Sequence, residues 1–65
     1  MPYKFKKNQQ VQFEFNMNYR DTGGPFIPMG TKATVLKRCR GTSLVWVNVE
    51  GFGTRREDSK YMTAA

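Results

Sequence analysis

Histidine is absent from this chain of 65 residues, and cysteine occurs once, at Cys39. A single thiol excludes an internal disulfide, and without histidine beside it no zinc ligand set can be assembled, so neither a structural metal nor a cofactor is expected. The lone thiol suits a reducing cytoplasm, which is the expected localisation, with Cys39 read as a strand residue filling space. Carboxylates are also scarce, five in all and dispersed. No acid/base pair and no nucleophile with an activating base can be picked out, so a non-catalytic protein is expected. Long apolar runs are missing too. Nothing reads as a bilayer span, and the opening Met-Pro-Tyr-Lys-Phe-Lys-Lys lacks the apolar stretch of a signal peptide.

What is present is basic charge. Eleven Lys and Arg against five Asp and Glu give a net charge of +6. Residues 1 to 20 contribute +3 (Lys4, Lys6, Lys7 and Arg20 against Glu14), and residues 21 to 40 contribute +3 (Lys32, Lys37, Arg38 and Arg40 against Asp21). That balance favours polyanionic partners, either nucleic acid, DNA or RNA, or an acidic protein surface. A chain of this size buries roughly 60% of its unfolded surface and holds one core, so a single domain spanning residues 1 to 65 is expected.

The pattern is that of strands. Tyr3, Phe5, Val11, Phe13, Phe15, Met17 and Tyr19 are apolar at odd positions, while every even position from Lys4 to Arg20 is polar. This period of two predicts a half-buried strand with Val11 to Phe15 facing the core and Gln10, Gln12 and Glu14 facing water. Residues 16 to 30 hold most of the turn formers, among them Gly23, Gly24, Pro25 and Pro28, and read as one long loop. Its Phe26 and Ile27 either fold back as a lid on the core, the preferred reading, or present an apolar tip. A second strand follows from Thr31 to Cys39, with Ala33, Val35 and Cys39 on one side and Thr34, Leu36 and Arg38 on the other. A third runs from Leu44 to Glu50, with Val45, Val47 and Val49 inward. Glu50-Gly51 suits a hairpin turn into a short strand from Phe52 to Arg56, and Glu57-Asp58-Ser59 suits the start of a 3-10 turn, after which Tyr61 and Met62 cap the core. So few short strands cannot fill two sheets, and the all-β sheet is expected to curl into a small barrel of four to five antiparallel strands.

Two segments carry a family resemblance: Pro28-Met-Gly-Thr-Lys-Ala-Thr-Val35, a turn leading into a strand, and Leu44-Val-Trp-Val-Asn-Val-Glu-Gly51. With the long first loop and the terminal 3-10 turn, the chain resembles an SH3-like barrel of the KOW type or a related small bacterial or phage domain, over residues 9 to 63. The resemblance implies a binding module, and it extends to small phage accessory proteins that dock on host machinery.

The candidate site residues are Lys37, Arg38, Arg40, Trp46, Arg55, Arg56, Tyr19 and Phe26. Strand alternation turns Trp46 outward, as a platform for a base or an anchor in a protein interface, unless the long loop covers it or it inserts where the barrel closes. Lys37, Arg38 and Arg40 at the end of one strand and Arg55 and Arg56 in another would form one cationic strip in a meander, with Glu57 and Asp58 neutralising part of it. Lys4, Lys6 and Lys7 read as solvated terminal charges or as a second phosphate-tracking arm. Two functions follow. One is nucleic-acid binding through the strip and the indole. The other is docking on an acidic partner protein, with Tyr19, Phe26 and Ile27 beside Trp46 as the apolar hot spot. No membrane partner is expected, and the chain is read as a monomer or a weak homo-oligomer associating through a strand edge or through Trp46.

Overall fold

The computed structural model describes residues 5–65, so Tyr3 and Lys4 lie outside the described residues. The chain is all-β. Five strands make one antiparallel sheet: β1 (Gln10–Phe13), β4 (Lys32–Arg38), β5 (Leu44–Val49), β6 (Gly53–Asp58) and β7 (Met62–Ala64), in the spatial order β6-β5-β4-β1-β7. Two further short strands, β2 (Met17–Asn18) and β3 (Phe26–Ile27), pair with each other inside the long segment that joins β1 to β4. The hydrogen-bonded order ends at β6 and β7, so the sheet is open. No helix among the described residues is long and apolar enough to cross a membrane.

The alternation of β-branched residues builds the core. Val45, Val47 and Val49 of β5 are all buried, as are Ala33 and Val35 of β4 and Val11 and Phe13 of β1. In an antiparallel ladder directly opposed residues share a face. The pairs Ala33 with Val49, Val35 with Val47 and Phe13 with Met62 therefore lie on one inner side. The segment between β1 and β4 closes over it. Ile27 has no exposed surface and Met17 is buried, so the expected lid is a small hairpin contributing to the core.

Phe15 departs from the expected pattern. It is 53% exposed, because β1 ends at Phe13 and the chain bends at Glu14, whose N–H donates to the Tyr61 carbonyl. The ring instead meets Tyr61 edge-on, with centroids 6.2 Å apart. Cys39 also departs: it follows β4 in a turn, half-buried, where its carbonyl accepts from both the N–H and the hydroxyl of Thr42. The reason lies one turn earlier. The register of β4 on β5 shifts between Val35 and Lys37, leaving Leu36 as an extra bulged residue. A bulge resets which side each later residue faces. Lys37 is thereby placed opposite Trp46, and Arg38 opposite Val45.

The end of the chain follows the expected plan with a shifted boundary and one correction, since Met62, expected only as a cap, opens a further strand. The strand after the Glu50-Gly51 turn is β6, which runs on through Glu57 to Asp58. A 3-10 turn (Ser59–Tyr61) follows, and the Asp58 carboxylate caps it by accepting from the Lys60 N–H. Met62 is fully buried and opens β7, which completes the sheet beside β1.

Candidate binding surfaces

The ladder between β5 and β6 decides the fate of the expected strip. Trp46 lies opposite Arg56, and Val47 lies opposite Arg55, so the two neighbouring arginines project to opposite faces of the sheet. Arg56 joins an outer row, Lys37 on β4, Trp46 on β5 and Arg56 on β6, set side by side by the register. The Arg56 guanidinium lies over the indole at 5.8 Å from the ring centroid, within cation–π range. Trp46 is half-buried and sits on the outer face, as alternation predicts. Asn48 and Thr54 continue this face as the next opposed pair, with Thr34 beyond them, whose hydroxyl accepts from the Gln10 amide at 2.9 Å.

Arg55 belongs elsewhere. Its Nε donates to Glu57 Oε2 at 2.9 Å, and its guanidinium lies 4.9 Å from the centroid of the Tyr19 ring. The Tyr19 hydroxyl donates to the other carboxylate oxygen, Oε1, at 2.5 Å. Glu57 is only 3% exposed and is held by two donors, one to each oxygen. A carboxylate buried without such partners would cost several kcal/mol, so the three side chains form one unit. Burial pushes the Tyr19 phenol well above its ordinary value, with further upward contributions from the hydrogen bond and the charge of Glu57, against a downward pull from Arg55. Close packing fixes Tyr19 in place: a Cβ on Gly24 would stand 2.6 Å from the Tyr19 Cβ, and the Gly24 N–H donates to the Tyr19 carbonyl. Phe26, half-buried on β3, lies under Arg20, whose guanidinium is 5.1 Å from its centroid. Tyr19, Phe26 and Ile27 thus do not form an exposed tip beside Trp46. Ile27 lies in the core, and Tyr19 fastens the segment to β6 through Glu57.

A basic groove emerges that charge counting alone did not assemble. Asn8 takes a left-handed conformation (φ 69°), and the Gln9 N–H donates to the Lys6 carbonyl while the Gln9 side chain accepts from the Lys6 N–H. Asparagine tolerates this region better than most residues. The turn folds the preceding segment against β4, where Phe5 is buried in the core and the Asn8 N–H donates to the Val35 carbonyl at 2.7 Å. The result is a hollow of ≈ 340 Å³ with Phe5, Val35 and Leu36 in its wall and Lys6, Lys7, Lys37 and Arg38 around it. Arg40 stands exposed in the turn that follows β4.

Among the described residues there is no group of three or more His, Cys, Asp or Glu positioned to hold a metal ion. The chain matches no family model, and no curated protein or solved structure is similar enough to count as a match.

Proposed function

We propose that this chain is an SH3-like barrel that serves as a non-catalytic module for binding nucleic acid. The fold reading draws support from the sheet order, the long β1-to-β4 segment with its small hairpin, and the 3-10 turn before the last strand. The functional reading is carried by one observation, the row Lys37, Trp46 and Arg56 across three adjacent strands of the outer face. Strands lie about 4.8 Å apart, so an aromatic plate is flanked by a cation on each side within one nucleotide's reach. A base that stacks on the indole displaces the Arg56 guanidinium from over the ring and brings its phosphates beside Lys37 and Arg56, while Arg38 and Arg40 add counterion release without sequence preference.

The test is a titration of Trp46 fluorescence with short DNA and RNA at two salt concentrations. Trp46→Ala removes the single tryptophan and is therefore followed by the anisotropy of a labelled oligonucleotide, where it weakens binding with little change in the salt slope. Arg56→Gln lowers the slope by about 0.7 to 0.9 of a unit, the value for one phosphate contact. Affinity indifferent to salt and to both substitutions would sink the reading.

A second reading, docking on an acidic partner protein, is favoured by one observation. Phe15 and Met29 are large apolar side chains left exposed, on segments joined by the Asn16 side chain, which accepts from the Met29 N–H. Under that reading Phe15→Ser abolishes partner capture, and the titration above is silent.

A further inference from the structure

We infer that the groove between the N-terminal turn and β4 is a backbone channel for single-stranded nucleic acid, continuous with the Trp46 platform. The inference rests on the nucleic-acid reading above and names the strand state that the site takes.

Three features point the same way. First, Lys6, Lys7, Lys37 and Arg38 line one hollow with no carboxylate among its lining residues. The cations are gathered there by specific devices, the Asn8 turn on one side and the Leu36 bulge on the other. Gathering the three lysines is repulsive, and a polyanion relieves it. Second, the wall of the hollow is apolar, with Leu36 half-buried beside Val35 and Phe5. Phosphate contact alone needs no apolar wall, whereas the sugar or base of an unpaired nucleotide finds one in a hollow of ≈ 340 Å³. Third, Lys37 belongs both to the groove and to the Lys37–Trp46–Arg56 row, so the two surfaces meet at one residue. Stacking on an indole requires a base with a free face, which a duplex interior withholds, and a cationic groove beside an aromatic platform is the arrangement suited to single strands.

The experiment compares a labelled short oligothymidylate with a hairpin duplex, by anisotropy across a salt series. The proteins are the wild type, the double variant K6Q/K7Q, and K60Q as a control that removes one charge on the 3-10 turn outside the groove. Lys6 and Lys7 are exposed, so the double variant keeps its circular dichroism spectrum and melting temperature. The wild type binds the single strand more tightly than the duplex. K6Q/K7Q lowers the log K against log salt slope for the single strand by roughly 1.4, the value for two lost contacts, and K60Q leaves it unchanged. Equal or tighter duplex binding, a wild-type slope in K6Q/K7Q, or the same slope loss per lysine in K60Q overturns the inference. If no oligonucleotide binds the wild type, the parent reading falls and the groove falls with it. If binding that depends on Trp46 and Arg56 persists unchanged in K6Q/K7Q, the groove falls alone.

Discussion

The hydroxyl of Tyr19, on the segment that closes over the core, donates to the carboxylate of Glu57, buried on β6 and 38 residues away in sequence. Arg55 completes the unit by binding the second oxygen and lying over the ring. Replacing Glu57 by Ala leaves a phenol and a guanidinium without their shared acceptor. We expect a loss of about 3 kcal/mol, against about 1 to 2 kcal/mol for Tyr19→Phe, read as shifts in the urea midpoint at constant m-value. Equal, small losses from both would mean that the carboxylate is not the centre of the unit.

The raised phenol pKa makes a prediction about alkaline solution. The folded state favours the protonated phenol, so its contribution is complete below the ordinary tyrosine value near 10 and is lost as pH rises above it. Stability measured by denaturation therefore declines above about pH 10 in the wild type, and the decline is shallower in Tyr19→Phe. Parallel profiles would show that Tyr19 titrates alike in the folded and unfolded chains.

Arg55 and Arg56 separate stability from binding. Arg55→Gln removes the partner of a buried carboxylate and lowers the unfolding free energy by about 2 kcal/mol without changing the salt slope of nucleic-acid binding. Arg56→Gln does the reverse, costing under about 0.5 kcal/mol of stability and reducing the slope. Urea unfolding of each variant, set beside its binding isotherms, reads both quantities. A slope loss in Arg55→Gln equal to that in Arg56→Gln would contradict their placement on opposite faces.

Gly24→Ala tests the seat of Tyr19. The added methyl meets the Tyr19 Cβ at 2.6 Å, so the ring or the turn has to shift, at a cost of about 1 to 3 kcal/mol. Displacing the ring also breaks the contact with Glu57, and the alkaline profile of this variant then matches that of Tyr19→Phe. An unchanged thermal midpoint would show that the loop absorbs the methyl freely.

Much of this arrangement was legible in the sequence. The alternation Val45, Val47 and Val49 gave the inner face of β5, the outward side of Trp46 followed from it, and the polar run Glu57-Asp58-Ser59 marked the 3-10 turn, although its first two residues end β6. Three things were not legible, for physical reasons. The Leu36 bulge leaves no compositional trace, since one inserted residue in a β-rich run still reads as strand, yet it decides that Lys37 joins Trp46. The bend at Glu14 ends an apolar period that continues in the letters through Phe15 and Met17. Glu57 follows two arginines and reads as a surface charge, while one of the two partners that make its burial tolerable is a distant tyrosine. The groove was hidden similarly, because Lys6 and Lys7 meet Lys37 and Arg38 only after the Asn8 turn folds the chain back.

The sheet order has a consequence for how the molecule comes into being. β1 is flanked by β4 on one side and by β7, the last strand in chain order, on the other. During vectorial synthesis its outer edge has no ladder partner until residues 62–64 emerge, so Phe13 waits for Met62 and Val11 for Ala64. Distant pairings of this kind incur loop-closure entropy before any contact offsets it, which slows folding relative to a chain held by local contacts.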